Sequence, residues 1–296
     1  MGKTLYDRFP AAKQVFDQAD EALGFKISEL CFHGPDDQLK LTENTQPALL
    51  TVSIAAHCVL KEKGLVPDFV AGHSLGEYSA LVAAGSLGFQ DAVRLVRKRG
   101  QYMQQAVPQG VGAMAALLKL PAEKLDAVLH EAAQGEIVSA ANLNSPDQIV
   151  IAGHTGAVNR AMELAKSAGA KRAILLPVSA PFHCALMRPA QENLKQDLNA
   201  TAFLALAHPL INNWQAQPIS TGAEARQGLY QQVPNPVRWT ESIRYLAGQG
   251  VTEFFEVGAG AVLIGLLKNI DPSLKGVKFG EADDEEKLGL YNREGS

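Results

Sequence analysis

Cysteine is scarce: Cys31, Cys58 and Cys184 are the only three in 296 residues, and no two stand at metal-ligand spacing. A sparse, odd set excludes a disulfide framework and a cysteine zinc site, and fits free thiols in a reducing compartment. No apolar run approaches the roughly 18 residues that span a bilayer. The opening residues Met1-Gly2-Lys3-Thr4-Leu5-Tyr6 lack both the apolar core of a secretory signal and the Ser or Thr that completes a myristoylation signal. A cytoplasmic protein without a membrane segment is therefore expected. There is no basic excess either. The net charge is -4, which argues against a general nucleic-acid binder. Internal repeats and low-complexity segments are missing, and the acidic run Glu281-Ala282-Asp283-Asp284-Glu285-Glu286 reads as a solvated tail.

What remains is an ordinary globular composition, 47% hydrophobic and 20% charged, long enough for one large domain carrying a smaller one. Apolar residues recur at helical spacing over 11–23, with Ala12, Val15, Phe16, Ala19 and Leu23 on one stripe. A second helix is expected over 47–61, with Pro47 in its first turn, and a third over 90–106. Between 110 and 177 the pattern becomes strand, helix, strand, strand, helix, strand, the βαββαβ order of a ferredoxin-like unit. The expected class is thus α/β. Residues 1–109 and 178–296 form a large α/β-hydrolase-like domain with a parallel sheet, and 110–177 a small ferredoxin-like insert. Later elements are expected as a helix over 186–198, a strand over 209–211, a helix near 240–249, a strand over 254–257 and a last helix over 262–270.

The most telling segment is Phe69-Val70-Ala71-Gly72-His73-Ser74-Leu75-Gly76-Glu77-Tyr78. A short apolar run ends in Gly-x-Ser-x-Gly and a helix-compatible run follows, the context of a nucleophile elbow. The tight turn brings Gly72 and Gly76 against neighbouring backbone, where a side chain has no room. Ser74 is then held on a strained corner at a helix N-terminus, with the Leu75 N–H aimed at any oxyanion forming above it. The alternative reading of the pattern is a glycine-rich turn with an ordinary capping serine.

A serine hydroxyl needs a base. Of seven histidines, His33, His57, His130, His154 and His208 sit in surface or packing contexts. His73 adjoins the serine, but neighbouring side chains of an extended segment point to opposite faces, so it supports the turn. His183 follows the proline-stiffened loop Pro177-Val178-Ser179-Ala180-Pro181-Phe182. A positioned loop suits a functional residue, although a structural histidine fits there equally well. No acidic residue is obviously placed as a third triad member. Arg99 belongs to a basic cluster with Arg94, Arg97 and Lys98, for which a solvated helix face is the default reading.

Gly72-His73-Ser74-Leu75-Gly76-Glu77-Tyr78-Ser79-Ala80, Ser179-Ala180-Pro181-Phe182-His183-Cys184-Ala185-Leu186-Met187 and Asn235-Pro236-Val237-Arg238-Trp239 together resemble the malonyl-CoA:acyl carrier protein transacylases. Thr45-Gln46-Pro47-Ala48-Leu49, Asn142-Leu143-Asn144-Ser145-Pro146 and Glu256-Val257-Gly258-Ala259-Gly260 fall where that family carries similar segments, so the resemblance runs from about Met1 to Ile270. It implies transfer of a malonyl group from malonyl-CoA to acyl carrier protein, for fatty-acid or polyketide synthesis, by a monomer needing no cofactor. It makes Ser74 the nucleophile and His183 its base. Gln232 becomes the residue whose backbone carbonyl orients the imidazole, and Leu75 an oxyanion donor. Arg99 becomes the grip on the malonyl carboxylate, for which a planar guanidinium is suited. Gln46, Phe182 and Asn142 fall with the substrate-binding residues, Phe182 as the bulky residue of malonyl-selecting relatives. Carrier proteins are acidic, so Arg97, Lys98, Lys171, Arg172 and Arg188 are candidate docking charges.

The family also begins with a short strand and a Gly-Gln-Gly-Ser-Gln loop that supplies a second oxyanion donor. Met1-Gly2-Lys3-Thr4-Leu5 resembles the residues directly after that loop, and the expectation is a chain of weak activity and low stability. Two rivals stand beside transfer to a carrier. One is an esterase or thioesterase that passes the acyl group to water, and the other a non-catalytic carrier-binding scaffold.

Overall fold

The protein is described here by a computed structural model covering residues 1–178 and 180–288, the side chain of Lys287 excepted. Ser179, the first residue of the histidine-containing motif, lies outside the described residues. The apolar stripes of the N-terminal third become helices Pro10–Leu23, Thr42–Glu62 and Phe89–Gln105, which pack on one another. Gly100 lets helix Phe89–Gln105 approach the start of Thr42–Glu62 closely. A Cβ there would lie 2.6 Å from the Glu43 Cα.

The helix expected to open at Pro47 opens at Thr42 instead, and Pro47 lies inside it. Local hydrogen bonds build the extra turn. Asn44 and Thr45 donate their N–H groups to the Leu41 carbonyl, and the Asn44 amide and Thr45 hydroxyl reach the Gln38 and Leu39 carbonyls. The helix Gly222–Gln232 was not expected, yet its start is written in the chain as Thr221-Gly222-Ala223-Glu224, which forms a capping box.

The fold is mixed α/β, with nine strands among the described residues: β1 (Val70–Ala71), β2 (Gly112–Leu118), β3 (Val138–Ser145), β4 (Gln148–His154), β5 (Arg172–Leu175), β6 (Leu210–Ile211), β7 (Pro218–Ile219), β8 (Glu253–Val257) and β9 (Lys275–Phe279). β2, β3, β4 and β5 form an antiparallel sheet in the order β3-β4-β2-β5. Strand alternation divides its side chains cleanly. Ala113, Ala115 and Leu117 of β2 face helices Leu125–Ala133 and Thr155–Ser167. Met114 and Ala116 face the other way, onto Phe182, Cys184 and Leu186. The loop that carries His183 is therefore clamped between this sheet and the rest of the molecule.

The parallel sheet expected of the larger part is only partly parallel. β1 pairs with β6 in parallel, β6 with β7 antiparallel, and β8 with β9 in parallel as a separate sheet. Strands of two residues carry no readable alternation, which is why β7 was not anticipated. The acidic run near the C-terminus is not the solvated tail expected. Asp284 is buried and caps its own 3-10 turn by accepting from the Gly280 and Glu281 N–H groups, while Glu285 pairs with Arg8 and Lys63.

Candidate functional site

Val70-Ala71 enters the elbow and helix Leu75–Ala83 leaves it. Gly72 faces Gly76 so closely that a Cβ at 72 would lie 2.0 Å from the Gly76 carbonyl carbon and oxygen. Gly72→Ala is therefore expected to cost about 3 kcal/mol, lowering the melting temperature by roughly 5–10 °C. A thermal melt coincident with the wild type would contradict this. The turn leaves Ser74 at φ 52°, a left-handed backbone that a side chain adopts only when its surroundings enforce it. Asn213 does much of the enforcing. Its Nδ2 donates to the Gly72 carbonyl at 2.7 Å, and its Oδ1 accepts the Ser74 N–H at 2.7 Å.

His183 approaches from the clamped loop with a positive φ of its own, 58°. Its Nε2 lies 2.7 Å from Ser74 Oγ, and its Nδ1 lies 2.9 Å from the Gln232 carbonyl oxygen. A carbonyl only accepts, so Nδ1 carries the proton and Nε2 is left as an acceptor facing the hydroxyl. A neutral backbone acceptor thus fixes the tautomer, where a triad acid would otherwise stand. Burial lowers the His183 pKa to about 3, and the nearby charge of Arg99 acts in the same direction. The ring rests neutral, able to receive a proton.

Arg99 belongs to the buried stripe of helix Phe89–Gln105, in register with Ala92, Val96 and Met103, and is itself buried. That spacing is visible in the sequence. It separates Arg99 from Arg94 and Lys98, which face solvent. The guanidinium donates to Gln46 Oε1 at 2.6 Å, to Gln232 Oε1 at 2.9 Å and to Ser74 Oγ at 3.1 Å, and lies over the Tyr78 ring. All of these partners are neutral, and its Nε has no hydrogen-bond partner. A buried cation beside a serine hydroxyl, with a donor still unpaired, is chemically suited to receive an anion.

The structure thus brings Ser74, His183, Arg99, Gln46 and Gln232 into one cluster, with the Leu75 N–H at the first position of the helix. Gln46 reaches the cluster by holding Arg99. Phe182 packs beside it, half-buried between two apolar clusters. The Asn142 side chain is not brought into hydrogen bonding with the cluster among the described residues. β3 presents Asn144 instead, whose Oδ1 accepts from His73 Nε2 at 2.8 Å. His73 is braced there, edge-on to Trp239. Glu77 and Asn213 are further buried members that the sequence reading did not single out. Glu77 was legible only as part of the elbow motif, and nothing local marks Asn213. Of the five cations proposed from sequence as candidate docking charges, Lys98 pairs with Asp197, and Arg97 donates to Asn44 over the Phe25 ring. Lys171, Arg172 and Arg188 are exposed.

A serine oxygen, an imidazole acceptor and a buried guanidinium thus meet on one α/β frame, the groups that acyl transfer at a serine calls for. Comparison with known proteins gives the same class: the chain belongs to the acyl transferase domain family, whose model matches residues 1–295. It is 51% identical over 284 residues to the malonyl CoA-acyl carrier protein transacylase of Bacillus subtilis (strain 168), covering 96% of this chain and 90% of the relative. It is 49% identical over 267 residues to the protein of the same name from Escherichia coli (strain K12), covering 90% and 86%. Among solved structures, an acyl carrier protein S-malonyltransferase from Vibrio cholerae superposes with a TM-score of 0.95 at 45% identity, covering 97% of this chain and 94% of the other. A malonyl-transacylase in complex with a type II PKS acyl-carrier protein superposes with a TM-score of 0.95 at 44% identity, covering 99% and 95%.

Proposed function

We propose that the chain transfers a malonyl group from malonyl-CoA to the phosphopantetheine thiol of an acyl carrier protein, through a malonyl ester of Ser74. The observation that carries this reading is the buried Arg99 guanidinium 3.1 Å from Ser74 Oγ, hydrogen-bonded only to neutral groups. An acyl group with a terminal carboxylate supplies the missing anion.

In the first half-reaction His183 Nε2 takes the Ser74 proton as Oγ attacks the thioester carbonyl. Arg99 holds the malonyl carboxylate, and the Leu75 N–H faces the developing oxyanion. The carbon–sulfur bond then breaks, and the coenzyme A thiolate leaves with the proton returned by His183. The second half-reaction runs the same steps backwards with the carrier thiol as nucleophile. No electrons change hands and every proton is handled by His183, so the proposed steps call on neither a redox cofactor nor a metal.

We also assign residues 1–109 with 178–296 to an α/β-hydrolase-like domain and 110–177 to a ferredoxin-like insert. The antiparallel β3-β4-β2-β5 order with two helices on one face supports this division. The reading is of a cytoplasmic monomer acting in fatty-acid or polyketide synthesis. No described helix is long and apolar enough to cross a membrane.

The test mixes enzyme, malonyl-CoA and holo acyl carrier protein, and compares malonyl-carrier formation with release of free malonate. Predominant malonate would mark a hydrolase. Selectivity offers a finer check on Phe182. One added methyl is worth about 1–3 kcal/mol, so malonyl-CoA is expected to outpace methylmalonyl-CoA roughly 10- to 200-fold in kcat/KM. Phe182→Ala should narrow the gap. Equal rates for the two esters in the wild type would remove Phe182 from the selectivity argument.

A further inference from the structure

Glu77 sits in the first turn of helix Leu75–Ala83, fully buried, and no step above uses it. Two donors converge on its Oε2: the Asn213 N–H at 3.1 Å and Gln232 Nε2 at 2.8 Å. The same Gln232 Nε2 lies 2.9 Å from the Ser74 carbonyl oxygen, and the opposite end of that amide, Oε1, accepts from Arg99. Glu77 Oε1 has no hydrogen-bond partner and packs under Gly228.

We propose that Glu77 is a positioning residue that fixes which way the Gln232 side-chain amide points, and through it holds Arg99 beside Ser74 for recognition of the acyl carboxylate. The argument is one of donor and acceptor parity. An amide has a donor end and an acceptor end, and its choice between two orientations depends on what surrounds it. Here the inner end meets the Glu77 carboxylate, the Ser74 carbonyl and, more distantly at 3.4 Å, Asn213 Oδ1, all acceptors, while the outer end meets a guanidinium, which only donates. Reversing the amide would oppose like groups at both ends. Glu77 is the nearest side-chain acceptor in that constraint, and its position three residues after Ser74 ties the elbow to the anion grip.

Burial pushes the Glu77 carboxyl up to about 7, while hydrogen bonds from Gln232 and Asn213 and the charge of Arg99 pull the other way. The relay works in either protonation state, because the unpartnered Oε1 can carry the proton and leave Oε2 as the acceptor. What matters is an acceptor at this point, not a charge. Glutamine at position 77 retains it, and methionine fills similar space without it.

This role rests on the proposed malonyl transfer and is tested on the full chain by the ratio of malonyl-CoA to acetyl-CoA in acylation of Ser74. Glu77→Met is expected to lower that ratio about 10-fold, the scale of one lost hydrogen bond to a charged group. Glu77→Gln should stay within about threefold of the wild type on the same scale. In an Arg99→Ala background Glu77→Met should leave the ratio unchanged, since coupled residues do not add. Should Glu77→Met not fold, Gln232→Met removes the same relay while keeping the backbone carbonyl that holds His183, and is expected to lower the ratio likewise. Equal losses for both acyl groups, or a full further loss in the Arg99→Ala background, would overturn the role. A wild-type chain that acylates Ser74 with neither ester would overturn the functional reading, and this role with it.

Discussion

Ser74→Ala is expected to lose turnover by on the order of 10⁴–10⁶, with His183→Ala losing a comparable amount and the double variant hardly more than either. The two side chains share one proton at a 2.7 Å separation, so removing either leaves the other without a task. Intact-mass measurement after brief mixing with malonyl-CoA checks the first step directly. A malonyl adduct should appear on the wild type and be missing from Ser74→Ala. Ser74→Ala should melt close to the wild type, because it removes one hydroxyl oxygen, whereas His183→Ala should melt lower, since it leaves a cavity and an unpaired Gln232 carbonyl. An adduct persisting in Ser74→Ala would move the acylation elsewhere and end the proposed chemistry.

Arg99→Ala carries the second large effect. Truncating one partner of a buried charge pair costs about 2–5 kcal/mol, which is roughly 30- to several-thousand-fold in malonyl kcat/KM. Acetyl-CoA lacks the carboxylate and should lose far less. The same substitution should move the pH profile. His183 acts only as the neutral ring, so the rate falls as pH drops through its pKa. Burial and then Arg99 lower that pKa to about 3 in the free enzyme, placing the acid limb of kcat/KM far below an ordinary histidine's. Without the guanidinium one of the two depressing influences is gone, the pKa rises, and the acid limb shifts to higher pH. Bound malonate neutralises Arg99 in the same sense, so the wild-type acid limb should lie higher in kcat than in kcat/KM. Acid limbs unchanged by Arg99→Ala would show that the guanidinium does not act on the imidazole.

The elbow was legible in the sequence because its cause is local. Gly72 lies against the Gly76 carbonyl across a single turn, so the chain's own backbone demands glycine at 72; at Gly76, against expectation, a Cβ would meet nothing within 4 Å. The helices around it were legible for the same reason, since an apolar stripe is a property of neighbouring turns. Arg99 stands between the two cases. Its place on the stripe with Val96 and Met103 could be counted along the helix, yet what it faces could not. The resemblance to a known family supplied Ser74, His183 and Gln232 as a set where residue chemistry alone left alternatives open.

Tertiary structure decided the rest. Glu77 is joined to Asn213 across 136 positions and to Gln232 across 155, and Ser74 to His183 across 109. His73 is joined to Asn144 across 71 positions. The acidic segment near the C-terminus likewise folded onto Arg8 and Lys63. By itself, then, the sequence determined the turn, the helical stripes and the residue types that chemistry at a serine requires. Which buried donor meets which buried acceptor was decided only when distant segments packed together, because a polar group out of water must take the partner that folding brings to it.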